Sequence, residues 1–117
     1  MTDLIFVQSY APHGSIKGQE VLDACLMGSA FCRCAILFLG DGIYQLKKGQ
    51  LTDSLSVKDY SVSYGVLSDY GVEQIVCREE DLKQRGLTQS DLIIDVDLKT
   101  DDQIQSLIDD SKQVLTF

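Results

Sequence analysis

Residues 34–39, CAILFL, form an unbroken apolar run that ends at Gly40-Asp41-Gly42. A strand with one face in water alternates polar and apolar residues, whereas a strand covered on both faces is apolar throughout. Leu4 to Ser9 and Glu73 to Cys77 are further compact segments that we predict to be strands. Helical segments separate these strands. This alternation predicts a parallel sheet with helices packed against both of its faces.

The other segments complete a β-α-β-α-β-α-β-α-β order, while Ile43 to Leu51 is ambiguous. A chain of 117 residues is close to the commonest size of one domain. We therefore predict a single three-layer α/β domain over residues 1–117, with a mostly parallel five-stranded sheet. The pattern does not predict the strand order. The further predicted elements are helices at Glu20 to Phe31, 56–70, 79–85 and Thr100 to Ile108, and strands at Leu92 to Val96 and Gln113 to Phe117.

The charge pattern restricts the classes of partner. The net charge is −8, and the ten Lys and Arg residues are scattered along the chain. Direct binding to nucleic acid needs clustered basic residues, so we expect none. No apolar run approaches the roughly 20 residues that span a bilayer. The first residues, MTDLIFVQ, lack the basic start of a signal peptide, so we expect a cytoplasmic protein without membrane contact.

Cysteines of a cytoplasmic protein are expected to be reduced thiols. Cys32-x-Cys34 is not the C-x-x-C of thioredoxin-like sites, and one His is too few to complete a usual zinc site. We predict that Cys25 and Cys34 are small buried apolar residues and that Cys32 also has a structural role. No metal and no cofactor are predicted.

In an open α/β sheet, chemistry gathers at the carboxyl ends of the strands. Three loops qualify, and the residues in them that could carry chemistry are His13, Ser15, Lys17, Asp41, Tyr44 and Cys77. Gly14 to Gly18 reads GSIKG, which matches neither phosphate-binding template, although a helix start beside two glycines could hold an anion. The alternative is that this loop only turns the chain and that His13 faces solvent.

Cys77 is the candidate for direct chemistry. It ends a predicted strand before a short helix, where the helix dipole can lower a thiol pKa. Three acids follow at positions 79–81, and their negative charge disfavours the thiolate. Cys77 is therefore either a sulfur nucleophile or a structural residue at the end of a strand.

The predicted helix over Val21 to Cys32 has an unusual composition. Its sequence, VLDACLMGSAFC, carries one charge, Asp23, and is apolar on nearly all sides. A surface helix of a monomer normally shows a polar stripe. We therefore predict that this helix is buried against a partner chain.

Several segments, taken together in their order and spacing, resemble the TusC/DsrF branch of the DsrE/DsrF-like sulfur-relay family along nearly the whole chain. The matching segments are Ala11-Pro12-His13-Gly14-Ser15, Gly18-Gln19-Glu20, Leu22-Asp23-Ala24, 40–46 (GDGIYQL), Gly49-Gln50, Asp59-Tyr60, Val72-Glu73-Gln74, Leu82, Arg85-Gly86-Leu87 and Val114-Leu115-Thr116-Phe117.

The resemblance implies a subunit of a cytoplasmic hetero-oligomer with two copies each of three related chains. The two sister subunits would be TusB/DsrH-like and TusD/DsrE-like. Such a complex accepts persulfide sulfur from a TusA-like carrier and passes it to a TusE-like carrier, for 2-thiouridine at the wobble position of tRNA. The alternative within the resemblance is a DsrF-type subunit that serves sulfur oxidation.

The resemblance also bears on Cys77. The family's principal acceptor cysteine belongs to the TusD/DsrE-like chain, at the end of a central strand before a short helix. Cys77, followed by Leu82, Arg85 and Gly86, occupies the corresponding place in this chain. Because the TusC/DsrF branch is understood as a partner of that carrier, the resemblance implies an architectural or accessory subunit. A sulfurtransferase that acts through its own Cys77 is the remaining alternative.

Overall fold

The fold is a five-stranded parallel sheet, seen in a computed structural model that describes residues 2–9, 17–46, 72–92 and 94–116. The spatial order of the strands is β4-β3-β2-β1-β5, and every neighbouring pair is parallel. This confirms the predicted α/β class. The strands are β1 (Leu4–Gln8), β2 (Cys34–Phe38), β3 (Val72–Arg78), β4 (Asp97–Lys99) and β5 (Gln113–Thr116).

Three α-helices and two 3₁₀ helices accompany the strands in the described residues. The α-helices are α1 (Lys17–Gly28), α2 (Glu79–Gln84) and α3 (Asp101–Asp110), and the 3₁₀ helices are Gly40–Leu46 and Gln89–Asp91. The backbone N–H of Gln103 donates to the Thr100 hydroxyl, and Gln103 Oε1 accepts from the Thr100 N–H. This capping box confirms Thr100 as the residue that starts α3. Within the described residues, no helix is long and apolar enough to cross a membrane.

The sheet buries both of its faces, as the continuous apolar strands predict. On one face, Phe6, Ile36 and Cys77 join the residues of α1, the 3₁₀ helix Gly40–Leu46 and α2 in one buried cluster. On the other face, Leu37 and Val76 pack with residues of α3. All five residues of β2 are buried, because this strand lies at the centre of the sheet. The predicted helices on both faces are confirmed.

Two glycines explain the sharp turn after β2. Gly40 has a φ of 54°, a left-handed conformation that favours glycine. Gly42 approaches the end of β1 so closely that a Cβ would lie 2.0 Å from the carbonyl oxygen of Gln8. The Gly-Asp-Gly segment therefore folds the 3₁₀ helix back over the carboxyl ends of β1 and β2.

The predicted strand at Leu92 to Val96 is wrong, because the fourth strand is Asp97–Lys99. The Gln89 side chain explains the difference. Its Nε2 donates to the carbonyl of Ile94 at 3.0 Å, and its Oε1 accepts from the N–H of Val96 at 3.3 Å. A side chain thus satisfies backbone groups that a strand would have paired with its neighbour, while Leu92 is buried in the core.

The first helix begins at Lys17 and ends at Gly28, so it starts earlier and ends earlier than the prediction of Glu20 to Phe31. The ambiguous stretch after Gly42 is the second part of the 3₁₀ helix as far as Leu46. The helix predicted at 56–70 lies outside the described residues.

Candidate functional site

Cys77 lies in β3 one residue before its end, between Phe38 of β2 and Leu98 of β4 in the register of the sheet. Its side chain is fully buried and belongs to the same cluster as Ile43 and Leu82. The position at the carboxyl end of a central strand is the one that the sequence predicted. The thiol, however, points into the core and not into an open cleft.

The surroundings of Cys77 keep its thiol protonated. Burial, with a further contribution from the negative charge of Asp81, raises the pKa of Cys77 to about 12. The thiolate is the nucleophilic form of cysteine, so at neutral pH the reactive fraction in this conformation is very small. The dipole of α2 does not offset the burial, because this helix has only six residues and carries acids in its first turn.

Asp81 is the centre of a charged network above Cys77. Its carboxylate is buried and accepts a hydrogen bond of 2.8 Å from the backbone N–H of Gly40. It also accepts a hydrogen bond of 2.9 Å from Arg78, and Nη1 of Arg85 lies 3.7 Å away. A buried carboxylate is stable only with such partners. Asp81 therefore ties the turn after β2 to the helix after β3.

Arg85 extends the network to the other predicted residues of this edge. Its Nη2 donates to Asp41 at 3.0 Å, and its Nη1 donates to the carbonyl of Asp81 at 3.1 Å. The guanidinium carbon lies 5.9 Å from the centre of the Tyr44 ring, within the range of a cation–π contact. The structure thus brings Asp41, Tyr44 and Cys77 to one edge of the sheet. Asp41 and Tyr44 interact there with Arg85.

An open acidic hollow lies beside this network. It is lined by Glu79, Glu80, Lys83, Thr100 and Asp101. Lys83 is paired with Glu79 at 3.4 Å, and Asp101 is paired with Arg78. The three carboxylates outnumber Lys83 and the paired Arg78 by one, and this small excess of negative charge disfavours an anion such as sulfide or a persulfide. Among the described residues, no three His, Cys, Asp or Glu side chains lie close enough together to hold a metal ion.

Three of the predicted residues, His13, Ser15 and Lys17, come from the first predicted loop. His13 and Ser15 lie outside the described residues, and of Lys17 only the backbone, at the start of α1, is described.

The prediction that Cys25 and Cys34 are buried is confirmed. Cys25 and Cys34 are fully buried, and burial raises the pKa of Cys25 to about 12, with a smaller contribution from Cys34. Cys32 is only half-buried, in the turn that follows α1. All four cysteines are free thiols.

The sequence reasoning missed the role of Asp81, which it counted only as one of three acids. The spacing contained a signal, since Arg78 and Arg85 stand three residues before and four residues after Asp81, on one side of a helix. A pair of arginines at these positions indicates a carboxylate that is held and buried.

The outer side of α1 is the second candidate site. Val21, Leu22 and Cys25 face the sheet and are buried. Met27 is 70% exposed, and Phe31, three residues beyond the helix, is 88% exposed. Exposed large apolar side chains at positions 27 and 31 favour a surface that binds another protein. We call Met27 and Phe31 the α1 surface.

The fold is that of a known class of small α/β proteins. The structure aligns with the crystal structure of the ychN protein from E. coli with a TM-score of 0.84, over 100% of both chains and with 18% sequence identity. At this identity the match shows the fold.

Sequence comparisons identify the family. The model of the DsrE/DsrF-like family matches residues 2–117. The chain is 38% identical to a protein named TusC homolog from Vibrio vulnificus (strain CMCP6), over 100% of both chains. It is 37% identical to the intracellular sulfur oxidation protein DsrF of Allochromatium vinosum, over 90% of this chain and 79% of that protein. This chain therefore belongs to the DsrE/DsrF-like family.

Proposed function

We propose that this chain is an architectural subunit of a cytoplasmic sulfur-relay complex. In that complex it assembles with TusB/DsrH-like and TusD/DsrE-like chains, two copies of each chain in a heterohexamer. The complex passes persulfide sulfur from a TusA-like carrier to a TusE-like carrier, for 2-thiouridine in tRNA. The proposal rests on the full-length similarity to proteins named TusC homolog.

The α1 surface supports the association. Met27 and Phe31 are exposed, although moving a large apolar side chain out of water lowers the free energy. We assign the α1 surface to the contact with a sister chain.

The carboxyl edge of the sheet supports an architectural role. The Cys77 thiol is buried among apolar side chains, and its pKa is raised. A persulfide carrier needs a thiol that its donor can reach. For Cys77 to carry sulfur, the apolar residues packed around it would have to move apart.

A second candidate function is sulfur oxidation, with the same kind of assembly. The similarity to DsrF of Allochromatium vinosum, whose name records intracellular sulfur oxidation, favours it. The two functions differ in the acceptor of the sulfur. Loss of 2-thiouridine from the tRNA of a strain that lacks this chain supports the tRNA function, and unchanged 2-thiouridine supports sulfur oxidation.

Co-expression with the two sister chains tests the association. We expect native mass spectrometry to show one complex that contains all three chains. The double substitution of Met27 and Phe31 by Glu should remove this chain from the complex. The control is Leu98→Glu, which places one glutamate at an exposed leucine of the edge strand β4, away from α1. A wild-type chain that stays monomeric with its sister chains contradicts the proposal, and equal loss of binding in both variants contradicts the assignment to the α1 surface.

A further inference from the structure

Cys32 and Cys34 bring two thiols into contact at the amino end of β2. Their Sγ atoms lie 3.8 Å apart, with either atom able to donate to the other. Cys32 also donates to the carbonyl of Gly28 at 3.5 Å, and Cys34 to the carbonyl of Cys32 at 3.6 Å. A disulfide needs about 2.05 Å between its sulfurs. The two sulfurs therefore need to approach by less than about 2 Å.

The two thiols differ in exposure. Cys34 is fully buried at the start of the central strand, whereas Cys32 is half-buried in the turn after α1. A reagent in solution therefore meets Cys32 first. Cys34 then lies beside the sulfur that has been modified, in the position of a resolving thiol.

Backbone hydrogen bonds hold both cysteines, Cys34 in a strand and Cys32 in a turn, where the Cys32 N–H donates to the carbonyl of Gly28 at 3.1 Å. Arg33, between them, donates its N–H to the Asp3 carboxylate at 3.0 Å. Its carbonyl accepts from the N–H groups of Asp3 at 2.8 Å and Leu4 at 3.2 Å. Cys34 continues directly into β2 between β1 and β3. The movement that closes the sulfur gap therefore falls on the Cys32 side chain, which leaves its hydrogen bond to Gly28.

We propose that Cys32 and Cys34 are a dithiol–disulfide pair that reacts with low-molecular-weight disulfides such as oxidised glutathione. In the first step, Cys32 Sγ loses its proton and attacks one sulfur of the reagent, which forms a mixed disulfide and releases one glutathione thiol. In the second step, Cys34 Sγ loses its proton and attacks the Cys32 sulfur, which releases the second glutathione thiol. Two protein thiols are oxidised to one disulfide, and one molecule of oxidised glutathione is reduced to two thiols.

Other pairings within the described chain are less favoured. Cys25, in α1, is fully buried and has a raised pKa. Cys77, in β3, is also fully buried and has a raised pKa. Among the described hydrogen bonds, the one that connects two sulfur atoms is the bond between Cys32 and Cys34. The site adjoins Phe31 of the α1 surface, but the inference rests on the thiol geometry and not on the proposed function.

Mass spectrometry of the folded full-length chain, purified without partner chains and incubated with oxidised glutathione, tests the proposal. We expect an intact mass lower by two hydrogens, which a dithiol reductant restores. Trypsin cuts after Lys17, Arg33 and Lys47, so the product should contain peptide 18–33 joined to peptide 34–47. Fragmentation should locate the bridge at Cys32 and not at Cys25, because peptide 18–33 contains both.

Single substitutions separate the two steps. Cys32→Ser should abolish the reaction, Cys34→Ser should stop it at a stable mixed disulfide on Cys32, and the control Cys77→Ala should leave it unchanged. If Cys34→Ser fails to fold, the position of the disulfide in the wild-type chain decides whether the proposal holds. A wild-type chain that keeps all its thiols, accumulates the mixed disulfide or bridges through Cys25 or Cys77 overturns the proposal.

Discussion

The two ends of β2 and β3 carry cysteines in opposite settings. At the carboxyl end, Cys77 is buried in a cluster with residues of the 3₁₀ helix and of α2, and its pKa is raised to about 12. At the amino end, Cys32 is half-buried and contacts the sulfur of Cys34. The end of the sheet where chemistry is expected thus holds the less accessible thiol. A place at the end of a strand does not make a cysteine reactive; exposure and the neighbouring charges decide its reactivity.

The tight packing of the carboxyl end should give the largest effect on stability. Gly42→Ala places a Cβ 2.0 Å from the carbonyl oxygen of Gln8, a backbone atom that β1 holds in place. We expect a loss of about 3 kcal/mol or more in the free energy of unfolding, measured with urea. The control is Gly86→Ala, where φ is 67° and no atom lies within 4 Å, so that only the backbone conformation costs about 1 kcal/mol. Equal losses of unfolding free energy in the two variants would contradict the close approach of Gly42 to Gln8.

The Asp81 network should give the next effect. Asp81→Asn removes the negative charge between Arg78 and Arg85 but keeps the shape of the side chain. We expect the free energy of unfolding to fall by about 2 kcal/mol, since both arginines keep a second carboxylate partner. Asp101→Asn is the matched control on the exposed partner of Arg78, and its effect should be too small to measure. If Asp81→Asn leaves the free energy of unfolding unchanged, the network does not hold the carboxyl end together.

The raised pKa of Cys77 predicts an alkaline loss of stability. Above the ordinary thiol pKa of about 8.5, the unfolded chain releases the Cys77 proton, whereas the folded chain keeps it up to about pH 12. Ionisation therefore stabilises the unfolded state as the pH rises. Between about pH 8 and about pH 10 the wild type should lose about 2 kcal/mol more than Cys77→Ala. Urea titrations of both proteins measure this difference, and parallel pH profiles would mean that the folded state does not protect the thiol.

The amino end should give the smallest effect. Cys32→Ser keeps a donor for the carbonyl of Gly28 in a turn that is partly open to solvent. We expect a change of about 0.5 kcal/mol or less in the free energy of unfolding. A loss as large as that of Asp81→Asn would place Cys32 in the rigid core and remove the contrast between the two ends.

The sequence predicted the elements that depend on local pattern. The apolar run of β2 and the Thr100 cap of α3 needed only the spacing of residue types. The strand predicted at Leu92 to Val96 failed because the Gln89 side chain holds that backbone, a contact that apolar spacing does not reveal. The strand order and the accessibility of each thiol depend on how distant segments pack. For this reason the sequence located Cys77 at the edge of the sheet but could not show that it is buried.

Sulfur transfer by the reconstituted complex tests most directly whether this subunit is architectural. Labelled persulfide sulfur is followed from the TusA-like donor to the TusE-like acceptor, with wild-type chain and with Cys77→Ala. If the subunit is architectural, the two rates should agree within about twofold, a difference of less than ~0.5 kcal/mol in activation free energy. Loss of transfer in an intact Cys77→Ala complex would contradict the account and make Cys77 a sulfur carrier.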